Sequence, residues 1–78
     1  MVIVRLQIEI EKEKLEELKS LMRDCGIRTK KDLFNNALTL FKWAVNKRKS
    51  GHEIMAVNTE DDHYVEFDMP SLSAVRKS

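Results

Sequence analysis

One cysteine, one proline and two glycines in 78 residues leave this chain short of the staples that small domains use. With Cys25 alone, no intrachain disulfide framework can form. No metal-ligand spacing is present either. His52 and His63 flank an acidic stretch containing Asp61 and Asp62, and two scattered histidines in such a loop read as surface residues rather than ligands. No segment approaches the roughly 18 consecutive apolar residues of a membrane span, and Arg5 interrupts the N-terminal apolar run that a secretory leader needs. The expectation is a soluble, cytoplasmic protein. Ser and Thr residues occur without the His and carboxylate arrangement that marks an activated nucleophile, so neither enzymatic activity nor a cofactor is expected. Internal repeats and low-complexity segments are also missing.

A chain of this length forms one domain at most and buries only about 60% of its unfolded surface. With disulfides and metals set aside, association with a second subunit is the favoured source of extra stability.

Charge is nearly balanced, at +1 from 14 basic and 13 acidic residues, but its distribution is not. Residues 1–26 carry −1, residues 27–50 carry +6 and residues 51–78 carry −4. A basic centre of this kind attracts polyanions even when the whole chain is near neutral; the bland reading is a solvated helix surface.

The chain opens on "VIVRLQIEI", which has the period of two of an extended strand. Val2, Val4, Leu6, Ile8 and Ile10 share one face; Arg5, Gln7 and Glu9 share the other. From Glu11 the period changes. Leu15, Leu18, Leu21, Met22 and Cys25 recur at spacings of three and four, the stripe of an amphipathic helix. Acidic residues crowd its first turns without a Ser, Thr, Asp or Asn N-cap, and Gly26 supplies a left-handed stop. Cys25, on the apolar stripe, reads as a buried small hydrophobe and not a redox switch.

"TKKD" then reads as a capping box, with Thr29 as N-cap and Asp32 three residues on. It opens a second helix. Leu33, Phe34, Ala37, Leu38, Phe41, Ala44 and Val45 form a wide apolar stripe that Leu40 and Trp43 broaden, and Gly51 ends it. Beyond, "EIMAV" and "YVEFDM" are β-prone runs around "NTEDDH", a hairpin with a longer loop that Pro70 terminates. The hairpin is expected to cover Leu40 and Trp43. Trp43 then reads as a core residue in preference to a partner hot spot or a base-stacking platform. Residues after Ser71 read as a frayed tail. The resulting divisions are residues 1–50, a hairpin extension over 51–70, and a flexible tail over 71–78.

Strand, helix, helix leaves the first strand without a partner nearby in the chain. A second copy supplies one: two strands about a two-fold axis form an antiparallel ribbon, with both apolar faces laid on four helices and the polar face outward. With the axis at Gln7, Arg5 of one strand lies opposite Glu9 of its partner, a modest cross-strand attraction of roughly 0.2–1 kcal/mol. A two-stranded ribbon also fits the major groove of B-form DNA.

Over about residues 4–48, "VRLQIEI", a helix closing on "DCG", and "RTKKDLFNNALTLF" resemble the ribbon-helix-helix family of bacterial DNA-binding proteins. The resemblance implies a mainly α fold with short β, a homodimer joined by an intersubunit antiparallel ribbon, here extended by a C-terminal hairpin. It implies base contacts from Arg5, Gln7 and Glu9, and phosphate contacts from Thr29, Lys30 and Lys31. The implied function is a sequence-specific transcriptional repressor or autoregulator, with dimers side by side on DNA. A rival reading takes the −4 of the C-terminal part as its lead: an antitoxin-like interaction module engaging a basic protein through residues 52–78.

Overall fold

The computed structural model describes residues 1–77. Its elements in chain order are α1 (Lys12–Cys25), α2 (Lys30–Lys49), β1 (Ile54–Asn58), β2 (His63–Phe67) and α3 (Pro70–Ser73). They fall into two units, Met1–Leu33 and Phe34–Ser78, with the boundary inside α2.

In the first unit α1 begins as its sequence implies. Glu11 is the N-cap, extended and without a side-chain cap bond, so the start rests on the acidic first turn alone. Gly26 ends the helix at φ 68°, and the Ile27 N–H donates to the Met22 carbonyl, closing the left-handed terminus. Ion pairs from Lys14 to Glu17 (3.4 Å) and Lys19 to Glu16 (3.9 Å) run along its exposed face and contribute a few tenths of a kcal/mol each. Leu15, Leu18 and Met22 are half-buried, and α1 has no buried residue. Cys25, the last residue of α1, is exposed, which corrects the expectation of a buried thiol.

The second unit is built on the greater part of α2. Gly51 stops that helix at φ 86°, with its N–H donating to the Arg48 carbonyl. β1 and β2 pair antiparallel, with Ile54 opposite Phe67, Ala56 opposite Val65 and Asn58 opposite His63. Side chains of the connecting loop hold its shape. The Asn58 carboxamide oxygen accepts the Glu60 N–H, and the Asp61 carboxylate accepts the His63 N–H, each at 3.0 Å. Asp62 takes φ 56°, a conformation that Asp tolerates better than most residues with a side chain.

Arg48 ties three segments of this unit together. Its Nη1 donates to the Glu53 carboxylate at 2.7 Å, ahead of β1, and its Nε to the Leu72 carbonyl in α3 at 3.4 Å. Leu72 is 2% exposed and Ala44 8%, and these two form the core. The frayed tail expected from Ser71 is corrected at its start. β2 ends at Phe67, and Pro70 opens a helical turn, where its missing N–H costs nothing, that carries the buried Leu72. Trp43 stays 50% exposed, so the hairpin does not cover it as expected.

Candidate nucleic-acid interface

Residues 1–10 belong to no helix or strand of the single chain, and no backbone–backbone hydrogen bond involves them among the described residues. The sheet contains β1 and β2 and nothing else. Exposure along the apolar face is 89% at Val2 and still 44% at Ile10, with Val4, Leu6 and Ile8 between. Five aliphatic side chains in alternation, all open to water, are costly at about 25 cal/mol per Å². Arg5, Gln7 and Glu9 are also exposed on this segment, and one chain does not gather them onto a face of any helix or strand.

The cap expected at the start of the second helix is formed as the sequence specifies. Thr29 precedes α2 as its N-cap: the Thr29 hydroxyl oxygen accepts the Asp32 N–H at 3.1 Å, and its carbonyl accepts the Leu33 N–H at 3.1 Å. Capping occupies the N–H of the third helical residue and leaves those of Lys30 and Lys31 without an intrahelical acceptor. Both lysines are exposed, adjacent and at the positive end of a 20-residue helix. An anion approaching that end meets two N–H donors and two ammonium groups, which is the chemistry of phosphate capture. Thr29, Lys30 and Lys31 are thus together, while Arg5, Gln7 and Glu9 lie on a segment that forms no helix or strand.

A second polar cluster lies at the far end of the chain. Glu53 and Glu66 share a hydrogen bond, and that bond with the charge of Glu53 raises the Glu66 carboxyl above the usual carboxylate range, against the pull of Arg48. Asp68 moves the other way. It accepts from the Ser73 hydroxyl at 2.6 Å and the Met69 N–H at 2.9 Å, which hold its carboxyl below the usual range. His52 bonds Ser50 at 2.9 Å and His63 pairs in β2; among the described residues no three His, Cys, Asp or Glu side chains gather as a metal would require. No helix among the described residues is long and apolar enough to cross a membrane.

Sequence reading missed the Arg48 tether. Arg48 sits in a basic run that reads as a solvated helix end, and its partners come from segments that the turn at Gly51 brings back. It also missed the open groove beside Trp43, because the sequence carries no signal for how far a hairpin overlaps a helix. The fold established here is two principal helices with a two-stranded antiparallel hairpin. Comparison with family models, with curated proteins and with solved structures finds no match to the chain.

Proposed function

We propose that the chain is a homodimeric, cytoplasmic DNA-binding regulator of the ribbon-helix-helix kind, acting by occupying its operator as a repressor or autoregulator. The observation that carries the reading is the alternating aliphatic segment at residues 2–10, open to water and without a backbone partner in its own chain. A second copy satisfies both needs at once, pairing the backbone groups and covering the apolar face. Pairing turns Arg5, Gln7 and Glu9 outward in duplicate. Arg5 donates two bonds to guanine, Gln7 pairs with adenine, and Glu9 tunes specificity by accepting from the cytosine amino group or by holding Arg5 of the partner strand. Thr29, Lys30 and Lys31 clamp the backbone at each α2 N-terminus, and the capped geometry there supports that role.

Titration by fluorescence anisotropy against the DNA upstream of its own coding region, at two salt concentrations, tests this. Binding should weaken steeply with salt. Lys30→Ala should weaken binding to every sequence alike and lower the slope of log K against log salt by about 2, because each subunit then neutralises one phosphate fewer. Salt-insensitive or absent binding would remove the reading.

A second reading rests on the acidic C-terminal part. Residues 51–78 carry six acidic against two basic groups, with Glu60, Asp61, Asp62 and Glu66 exposed on the hairpin, a surface suited to a basic protein partner in an antitoxin-like role. Ribbon and hairpin lie in different parts of the chain, so the two activities are compatible.

A further inference from the structure

The row of side chains assigned to base reading contains one that cannot hydrogen-bond. The alternation that separates Arg5, Gln7 and Glu9 from Val2, Val4, Leu6, Ile8 and Ile10 also puts Ile3 on their side. Ile3 is the one aliphatic residue among those four, and it is 84% exposed. Its segment takes part in no backbone–backbone hydrogen bond among the described residues. Pairing with a second copy covers the even-numbered side chains against the helices, and Ile3 stays outside with the polar three.

The major groove of B-form DNA displays one apolar group, the 5-methyl of thymine, and aliphatic side chains are its natural contact. We propose that Ile3 is a further specificity-determining residue, whose side chain packs on the 5-methyl group of a thymine in the operator. The inference rests on the DNA-binding reading and deepens it, because Ile3 tells thymine from cytosine by a methyl group and not by a hydrogen bond. Its place on the strand also fixes where that thymine lies. Neighbours on one face of a strand are about 7 Å apart, a span of about two base-pair steps. Ile3 is one such interval beyond Arg5, counted outward from the axis at Gln7. The thymine is therefore expected about two base pairs outside the guanine that Arg5 reads, once in each half-site.

Two duplexes of the DNA upstream of its own coding region isolate the methyl groups, one ordinary and one with deoxyuridine in place of every thymidine. The exchange leaves the hydrogen-bonding groups of every base as they were. In fluorescence anisotropy, wild type should bind the uracil duplex about 4-fold more weakly for each methyl contact, or up to about 15-fold for two. Ile3→Ala should bind the ordinary duplex more weakly by a similar factor and should bind the two duplexes nearly alike. Any change that uracil makes in duplex shape weighs on both proteins, so the ratio between them reads the Ile3 contact alone. Single deoxyuridine substitutions should then place the sensitivity at two symmetric positions. Wild type that binds both duplexes equally, or Ile3→Ala that discriminates as strongly as wild type, would overturn the proposal and leave the DNA-binding reading standing. Failure of wild type to bind either duplex would remove that reading and Ile3's role with it. Sedimentation equilibrium guards the comparison: Ile3→Ala should keep the wild-type mass, and a halved mass would make Ile3 part of the subunit contact and overturn its role on DNA.

Discussion

Leu6→Asp should give a chain that neither dimerises nor binds DNA. With the two-fold axis at Gln7, Leu6 of one strand lies beside Ile8 of its partner on the face that covers the helices. Removing a Leu side chain from such a site forfeits about 1.5–3 kcal/mol of burial, and a carboxylate without a partner costs several more. Both terms count twice in a symmetric dimer. Their sum is comparable to the whole stability of a small protein, about 5–15 kcal/mol, so the dimer has no reserve to absorb it. The single chain buries little beyond Leu72 and Ala44, and it therefore offers no folded monomer of comparable stability to fall back on. Sedimentation equilibrium at micromolar concentration should return the monomer mass, and far-UV circular dichroism should show helix lost from the first unit. A Leu6→Asp dimer of normal stability would place the interface elsewhere.

Arg5→Ala should leave the dimer intact and cost most of the preference for the operator. Each bidentate arginine–guanine pair discriminates by about 1–3 kcal/mol, and the dimer carries two. The expected loss at the correct site is thus about 2–6 kcal/mol, or about 30-fold to more than 10,000-fold in affinity. Affinity for unrelated DNA should fall far less, because there Arg5 contributes only its charge. This distinguishes Arg5 from Lys30, whose loss is felt on every sequence. The measurement is paired titration against operator and scrambled duplex at one salt concentration; equal losses on both would reduce Arg5 to an unspecific cation. Urea denaturation should show the dimer little changed, apart from the roughly 0.2–1 kcal/mol that a cross-strand pair with Glu9 contributes.

Local rules account for what the sequence makes legible. Thr29 caps α2 because a hydroxyl three residues ahead of an amide reaches it whatever the tertiary setting, and the Asp32 N–H is found on it. Gly26 and Gly51 stop their helices because positive φ is cheap only without a side chain, and both take it. The hairpin lies within one or two residues of its expected bounds for the same reason: alternation acts within each strand, and Pro70 opens α3 three residues past the end of β2. Burial is not legible in this way, because it depends on what the rest of the molecule places opposite a side chain. Cys25 and Trp43 have core-like spacing on their helices and are nonetheless exposed in the chain, while Leu72, just beyond a proline, is the most buried residue.

The candidate site divides along the same line. The capped helix end at Thr29 to Lys31, proposed to hold phosphate, is a property of one helix and is formed in the chain alone. The residues proposed to read bases, Arg5, Gln7 and Glu9, lie on a segment to which the chain gives no strand partner among the described residues. Alternation in the sequence names the face; only pairing fixes where it points.

Everything in the account turns on residues 2–10 meeting the same residues of a second copy in antiparallel register. Site-directed cross-linking reads that meeting most directly. In a Cys25→Ser background, Gln7→Cys places the two thiols on the symmetry axis, where paired strands hold Cα atoms about 4.5–5.5 Å apart, within disulfide range. The account predicts that mild oxidation converts Gln7→Cys almost completely to a covalent dimer, that Arg5→Cys and Glu9→Cys cross-link to each other when mixed, and that neither cross-links efficiently to itself. A Gln7→Cys chain that stays reduced, or three variants that cross-link alike as collisions would produce, would contradict it.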